Sequence, residues 1–332
     1  MKKATIYVSD FYKNNRIFDL NDRISNRDNC LYHFKVLKDA LLKSGYDLGT
    51  QDINTLQETE IVIYNDMPDV IDINTDKVNL LILGESEIIR PDNWNKENHK
   101  YFDKVFTWND EWVDGKKYIK YYWPNKIPEN IEFKIAEKTK LCTLIAGNKT
   151  NNDSRELYSE RVRAIEWFEK YAPADFDFYG IGWNEKTFNG KTTHYFNRFK
   201  FLKRLFAKKY NLYKGKVESK NEVLKKYKFA ICYENARDIP GYITEKIFDC
   251  FFAGCVPIYC GAPNILNFIP QNTFIRKDDF NSYEELYKYI KIMTDEEYKL
   301  YLDNIKGYLE SDKFKLFSAE NFANIITDQI SE

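Results

Sequence analysis

Long apolar runs are missing from this 332-residue sequence, which has no stretch of 18 consecutive apolar residues. A transmembrane helix would need such a stretch. The first residues, MKKATIYVSDFYKNN, contain two lysines but lack the apolar segment of a secretory leader. Low-complexity tracts are also missing, and glycine and proline are sparse, with 13 and 9 residues. The sequence therefore predicts an ordered, soluble protein of the cytoplasm.

Metal-binding and disulfide patterns are absent as well. The three histidines, His33, His99 and His194, are far apart, and no H-E-x-x-H motif occurs. The six cysteines show no C-x-x-C spacing and lie mostly in apolar runs, which is typical of free thiols in a reducing compartment. We predict no dedicated metal site and no required cofactor, although carboxylates alone could still hold a stimulating Mg²⁺.

An excess of charge is missing too. The 50 Lys and Arg residues stand against 51 Asp and Glu residues, for a net charge of −1. A balanced chain has no long-range positive field that would attract nucleic acid, so no nucleic-acid partner is predicted. Any site for a polyanion must be local. Hydrophobic residues make up 43% of the chain and aromatic residues 17%, which is enough for a sizeable core.

The first third of the chain alternates short apolar runs with one amphipathic segment. The runs lie at 4–9, 60–65, 79–84 and 104–108. Between the first two, Phe34, Leu37 and Leu41 recur at helical spacing in residues 30–45, and Gly45 follows where a helix would end. This alternation predicts a parallel sheet with crossover helices.

A polar segment with two prolines, YYWPNKIPENIE at 121–132, separates this part from a second one in which the strand and helix pattern starts again. We therefore predict two open α/β domains, 1–130 and 131–332, the second one ending in helices. Ligands bind such domains in the crevice beyond the carboxyl ends of the strands.

The segment 227–265 predicts a strand, a polar turn, a helix and a strand, without a dinucleotide fingerprint or a P-loop. The start of its helix offers free N–H groups and partial positive charge to a phosphate. Lys246 adds a cation there, while Glu245 could accept hydrogen bonds from sugar hydroxyls. A nucleotide sugar satisfies both side chains. The alternative is that both are solvated residues of a first helical turn, near Tyr242 or Thr244.

Three strings of this segment, YKFAICYEN, GYITEKIFD and AGCVPIYCGAPN, closely resemble the signature of the α-1,3-fucosyltransferases of glycosyltransferase family 10. NLLILGESEIIRP is similar to the family's acceptor segment, and SERVRAIEWFEKY and FDFYGIGW are similar to its second-domain elements. The resemblance covers roughly residues 79–300.

The resemblance implies the GT-B fold, in which two Rossmann-like domains face each other across a cleft. It also implies inverting transfer of L-fucose from GDP-β-L-fucose to a glycan acceptor, in a bacterial surface polysaccharide or lipopolysaccharide O-antigen. A same-fold transferase that uses another 6-deoxy or amino sugar, and a non-catalytic glycan-binding protein, stay open as alternatives.

The resemblance also implies roles for particular residues. Glu85, which directly follows a predicted strand, would be the general base, with Glu87 as its competitor. The residues implied to bind the donor are Arg161 and Lys246 at the diphosphate, Glu245 at the ribose, Asn235 and Tyr242, with Lys220, Glu234 and Thr244 as further candidates.

Two motifs depart from the family pattern. YENA replaces F-E-N-S, and Ser86 stands where the acceptor segment has asparagine. The first loop borders the donor sugar, so the departures bear on donor and acceptor identity more than on the class of reaction.

The stretch 198–216 carries eight Lys and Arg residues interleaved with Phe and Leu. Such a basic amphipathic helix can lie on an anionic membrane surface, at the inner face of the membrane. The alternative is a helix that packs its apolar side inward and leaves solvated lysines outside.

Overall fold

The computed structural model describes residues 1–70, 73, 76–186 and 193–331. The first sheet consists of β1 (Lys2–Tyr7), β2 (Tyr46–Thr50), β3 (Ile61–Asn65), β4 (Val78–Ile82), β5 (Lys104–Thr107) and β6 (Tyr118–Lys120). The strand order is β2-β1-β3-β4-β5-β6, and all neighbours are parallel. The short strands β2 and β6 were not predicted.

Helix α1 (Tyr32–Lys43) crosses over from β1 to β2. Its buried positions are the predicted ones, Phe34, Leu37 and Leu41. Gly45 follows the helix with a φ of +90°, a left-handed conformation that glycine adopts without steric cost. The predicted parallel sheet with its crossover helix is therefore confirmed.

The second sheet consists of β7 (Lys140–Ile145), β8 (Phe176–Tyr179), β9 (Tyr227–Tyr233), β10 (Val256–Cys260) and β11 (Ile275–Arg276). It is also parallel throughout, in the order β11-β10-β9-β7-β8. The strand order reverses between β7 and β9, and in open α/β sheets such a reversal opens a crevice at the carboxyl ends of the strands.

The remaining helices surround this sheet or follow it. They are α2 (Tyr158–Tyr171), α3 (Lys200–Leu205), α4 (Lys220–Leu224), α5 (Glu245–Phe252), α6 (Tyr283–Ile292), α7 (Asp295–Leu309), α8 (Asp312–Lys315) and α9 (Ala319–Ser331). The predicted amphipathic helix over 198–216 is thus reduced to the six residues of α3. Helix α5 begins at Glu245 and not at Tyr242.

The chain passes between the two sheets twice, and the two passages are joined by hydrogen bonds. The Asn125 N–H donates to the Phe317 carbonyl at 2.8 Å, and the Ala319 N–H donates to the Asn125 carbonyl at 3.0 Å. Helix α9 then packs against α1. The division predicted at residue 130 places α9 in the second domain, whereas in the structure α9 packs on α1 of the first sheet. We call the first sheet with α1 and α9 the first lobe, and the rest the second lobe.

Five of the six cysteines, Cys142, Cys232, Cys250, Cys255 and Cys260, are buried free thiols, whereas Cys30 is exposed. Among the helices that the structure describes, none combines the length and hydrophobicity needed to cross a bilayer.

The packing of α9 on α1 predicts how much stability the protein loses when the buried aromatic ring of α9 is removed. Phe322 is 2% exposed, and its ring contacts those of His33 and Tyr121. Phe322→Ala should lower the free energy of unfolding by about 3–5 kcal/mol, because it leaves a cavity in the first lobe. Urea denaturation measures this loss. The matched control is Leu300→Ala on α7, where the side chain is 61% exposed and truncation should change little. Equal stability of the two variants would contradict the packing.

Candidate active site

A cavity of about 570 Å³ lies where the sequence predicted a crevice. Its walls include the loops that follow β7 and β8, the end of β9 and the start of α5, and Glu85 reaches it from the first lobe. Of the predicted residues, it brings together Glu85, Arg161, Lys220, Asn235, Tyr242, Thr244, Glu245 and Lys246. The described part of its lining contains six cations and three carboxylates, which favours an anionic ligand.

Glu234, at the end of β9, is completely buried and joins this strand to α5. Its carboxylate accepts hydrogen bonds from the Thr244 backbone N–H at 2.8 Å and from the Thr244 hydroxyl at 2.7 Å. It also accepts one from the Lys246 ammonium at 3.0 Å. Thr244 is the N-cap residue of α5, and its hydrogen-bond partner Glu234 follows strand β9. Glu234 therefore holds the start of α5 in place.

Charges alternate along the start of α5. Glu245 lies 4.0 Å from the Lys246 ammonium and 3.8 Å from that of Lys220, which in turn pairs with Asp249 at 2.8 Å. Burial lowers the pKa of Lys246, but the charges of Glu234 and Glu245 outweigh it and raise the pKa above its ordinary value. Burial would raise the pKa of Glu245, yet Lys246 and Lys220 prevail and lower it to about 2. Lys246 and Glu245 are thus both charged at neutral pH.

Arg161, on α2, is 5% exposed and binds the end of β9. One guanidinium nitrogen, Nη2, donates to the carbonyls of Tyr233 and Glu234 at 2.7 and 2.8 Å and to the Asn235 side-chain oxygen at 3.1 Å. Its other N–H groups have no partner among the described residues. Arg161 is therefore a buried cation that fixes the strand end as well as lining the cavity.

Tyr242 belongs to the seam between the lobes. It is 1% exposed, and its ring centroid lies 4.5 Å from that of Trp108 in the first lobe. The neighbouring Gly241 has a φ of +81°, and a Cβ there would meet the Trp108 carbonyl oxygen at 2.3 Å. Only glycine permits this close approach of the two backbone segments.

Glu85 follows β4, and its backbone is held from several sides. Asp66 Oδ1 accepts the N–H groups of Gly84 and Glu85 at 2.8 and 3.1 Å. The indole N–H of Trp108 donates to the Gly84 carbonyl and that of Trp94 to the Glu85 carbonyl, both at 3.0 Å. The Glu85 carboxylate itself has no hydrogen-bond or ion-pair partner among the described residues. Rigid backbone and an unpaired carboxylate suit a general base.

The surroundings of Glu85 also favour a base. Burial raises the pKa of its carboxyl, and the charge of Asp66 raises it further. Lys149 and Lys246 act in the opposite direction without cancelling these effects. A carboxylate whose pKa is raised toward neutrality accepts a proton more readily.

Glu87, the competing candidate for the base, is directed elsewhere. Its carboxylate pairs with Arg155 of the second lobe at 2.7 Å, and it is not part of the cavity lining. Near it, the Asn151 side-chain amide donates to the Ile88 carbonyl at 2.6 Å. The structure therefore gives Glu87 a role in holding the lobes together.

Four charged lining residues were not predicted as site residues: Arg27, Lys149, Lys216 and Asp249. Lys216 was counted with the basic stretch 198–216, but it lines the cavity. Asp249 had a usable signal, since it stands four positions after Glu245 on α5 and so shares its helix face. Lys149 follows β7, at the strand end where ligands bind.

The sequence predicted no dedicated metal site. Within residues 1–70, 73, 76–186 and 193–331, no group of three His, Cys, Asp or Glu side chains could hold an ion. The absence of a dedicated metal site stays a prediction.

The two parallel sheets and the cavity between them define a class of protein. An α1,3-fucosyltransferase structure with GDP-fucose aligns with a TM-score of 0.55 at 17% identity, over 98% of this chain and 89% of that chain. HepE of Anabaena, in complex with UDP-glucose, aligns with a TM-score of 0.57 at 9% identity over 100% of both chains. At these identities the likeness concerns the fold alone. The fold is that of the GT-B glycosyltransferases, as the resemblance implied.

Sequence comparison identifies the family. The model of the C-terminal domain of glycosyltransferase family 10 (fucosyltransferase) matches residues 135–312, more than half of the chain. The chain belongs to this family. The α-(1,3)-fucosyltransferase FucT of Helicobacter pylori is 40% identical over 77 residues, which are 23% of this chain and 16% of that protein. The match thus spans less than a fifth of this relative.

The contact between Asp66 and the Glu85 loop predicts a shift in titration. Asp66→Asn keeps an oxygen that can accept the N–H groups of Gly84 and Glu85 but removes the negative charge. Ionisation of Glu85 then becomes easier, so the pKa of Glu85 should fall. Carbon-13 NMR of protein labelled at the glutamate carboxyls measures it, with the signal assigned through Glu85→Gln. Glu87→Gln is the control, in which the pKa of Glu85 should stay the same. An unchanged pKa of Glu85 in Asp66→Asn would refute the coupling.

Proposed function

We propose that the protein is an inverting glycosyltransferase that transfers L-fucose from GDP-β-L-fucose to a hydroxyl group of a glycan, without a bound cofactor. One observation carries the proposal. A cavity with surplus positive charge, at the strand ends of the second lobe, faces an unpaired carboxylate from the first lobe. These are the two requirements of sugar transfer, namely stabilisation of a leaving diphosphate and activation of an alcohol.

The second lobe would bind the donor. Lys246 stays protonated because Glu234 and Glu245 raise its pKa, and the start of α5 adds its partial positive charge. As the bond between the anomeric carbon and the phosphate oxygen breaks, the electron pair leaves with GDP, and these fixed charges stabilise it. Glu245 is ionised and lies at the cavity wall, where it can accept hydrogen bonds from the ribose hydroxyls.

The first lobe would activate the acceptor. The Glu85 carboxylate takes the proton of the acceptor hydroxyl, whose oxygen attacks the anomeric carbon from the face opposite the diphosphate. The configuration at that carbon is therefore inverted. The raised pKa of Glu85 supports this role, because the proton acceptor becomes more basic.

The family and the similarity to the α-(1,3)-fucosyltransferase of Helicobacter pylori support fucose as the sugar. The GT-B fold also serves UDP-glucose in HepE, so the fold alone leaves another 6-deoxy or amino sugar as the alternative donor. A non-catalytic glycan-binding protein is disfavoured by the unpaired Glu85, since a binder has no use for a base.

The first experiment separates these functions. GDP should raise the melting temperature more than UDP, dTDP or CMP, and mass spectrometry should detect fucosylated N-acetylglucosamine or galactose glycosides. Glu85→Gln should lower kcat by at least about 100-fold, because the proton acceptor is lost. Glu85→Gln should keep the rise in melting temperature that GDP induces. Glu87→Gln should keep both the kcat and this rise. A larger rise in melting temperature with UDP than with GDP would favour the alternative donor. Normal turnover by Glu85→Gln would exclude Glu85 as the base.

We further propose that the acceptor belongs to a bacterial surface polysaccharide or lipopolysaccharide O-antigen, reached from the cytoplasmic face of a membrane. The side chains of Phe199, Phe201 and Leu205 are 58%, 70% and 61% exposed. They lie in the stretch 198–216, which has eight cations and no acidic residue. Exposed apolar side chains among cations favour contact with an anionic bilayer.

Liposome sedimentation tests the membrane contact. Binding to phosphatidylglycerol vesicles should exceed binding to phosphatidylcholine vesicles and should fall with salt. Replacing Phe201 and Leu205 together by Glu should remove most of it, because apolar burial is lost and charge is reversed. Leu300→Glu, equally exposed on α7, is the control. If the double variant sediments with the vesicles as much as the unaltered protein does, the membrane contact is refuted.

A further inference from the structure

A second cavity, of about 560 Å³, adjoins the first. The two share Asn148 and Lys149, in the loop that follows β7. Ile89, from the segment after Glu85, lines the second cavity from the first lobe. Lys149 also acts on the pKa of Glu85. The second cavity therefore begins beside the place where Glu85 faces the donor cavity.

The lining of the second cavity suits a sugar ring. Tyr158, Trp183 and Tyr210 contribute aromatic rings to the lining, and Asn148 and Asn151 contribute amides. The charged residues of the lining are Lys149, Lys186, Lys208 and Glu185. Sugars present apolar C–H faces and a rim of hydroxyls, so aromatic walls with a few fixed polar groups complement them. The Trp183 ring is held rigidly, since its indole N–H donates to the Ala146 carbonyl at 2.7 Å.

One side chain of this cavity has an unmet hydrogen-bonding requirement. Tyr158 is 3% exposed, and its buried hydroxyl has no partner within the described part of the chain. A buried hydroxyl without a partner is costly and therefore uncommon. The Tyr158 ring lies under the Arg161 guanidinium at 5.1 Å and packs in the same apolar cluster as Trp108 and Tyr242. The Tyr158 ring is thus held by packing beside Arg161, and its hydroxyl has hydrogen-bonding capacity left for a ligand.

We propose that the second cavity is the binding site for the acceptor sugar, and that the Tyr158 hydroxyl hydrogen bonds to it next to the hydroxyl that Glu85 activates. The inference rests on the proposed function and adds the location and chemistry of the acceptor site. Burial raises the pKa of Tyr158, while the charges of Arg161 and Lys246 lower it and that of Glu85 raises it. All three catalytic or donor-binding groups are therefore within electrostatic range of this hydroxyl, which stays protonated and can donate.

Tyr158→Phe tests the hydrogen bond, because it removes only the hydroxyl. The probe is the N-acetylglucosamine or galactose glycoside that the unaltered protein fucosylates. Its KM should rise about three- to tenfold, which is the value of one lost hydrogen bond. The donor KM, the GDP affinity and the melting temperature should not change. Tyr308→Phe is the matched control, because its hydroxyl is also buried and unpartnered among the described residues but lines neither cavity. It should leave all these constants unchanged.

Ile89→Trp tests the cavity itself, because it fills the space from the first lobe. It should raise the glycoside KM by more than tenfold and leave GDP binding intact. Unchanged glycoside KM in both Tyr158→Phe and Ile89→Trp, or a raised donor KM in Tyr158→Phe, would overturn the inference.

The two proposals fail in different ways. If the unaltered protein transfers no fucose, the proposed function is contradicted. The acceptor site is then tested by saturation-transfer NMR of the N-acetylglucosamine glycoside with the GDP-bound protein. Signals that disappear in Ile89→Trp would support the site, and signals that persist would refute it.

Discussion

The second-lobe half of the site depends on the hydrogen bonds and the ion pair of the buried Glu234 carboxylate. It lies at the end of a central strand, is inaccessible to solvent, and binds both the Thr244 backbone at the start of α5 and the Lys246 ammonium. Removing one partner of a buried ion pair leaves an uncompensated charge, which is strongly destabilising. Strand, helix and cation are therefore held as one unit, and Glu245, Lys220 and Asp249 continue the same alternation of charge.

The second constraint is the seam between the lobes, which sets the distance from this unit to Glu85. Trp108 is central to it, because its ring packs against that of Tyr242 at a tilted angle while its indole N–H donates to the Gly84 carbonyl. Asp110 strengthens the seam through the Asn264 amide at 2.7 Å. In the proposed mechanism the Glu85 carboxylate and the donor-binding residues lie on different lobes, and such contacts would keep their spacing fixed, since misplacement by an ångström costs much of the rate.

The donor motif was accessible to sequence reasoning because its residues are adjacent in the chain. Glu245 and Lys246 were indicated by the local chemistry of a helix start, and Asn235 and Tyr242 by the resemblance of the same short segment to the family motif. Asp66 could not be found in this way. It contacts the Glu85 loop only because β3 and β4 are neighbours in the sheet, and nothing in the residues around Asp66 reveals that contact.

Hydrophobic periodicity and turn residues sufficed to predict two parallel α/β units, the helix α1 and the end of β4 that carries Glu85, because these features depend on neighbouring residues alone. The partners of each charge were decided by folding. Whether Glu87 points into the cleft or pairs with Arg155, and whether Lys216 faces solvent or the cavity, depends on which elements pack together. Packing is a balance of contacts between residues far apart in the chain, and no local pattern contains it.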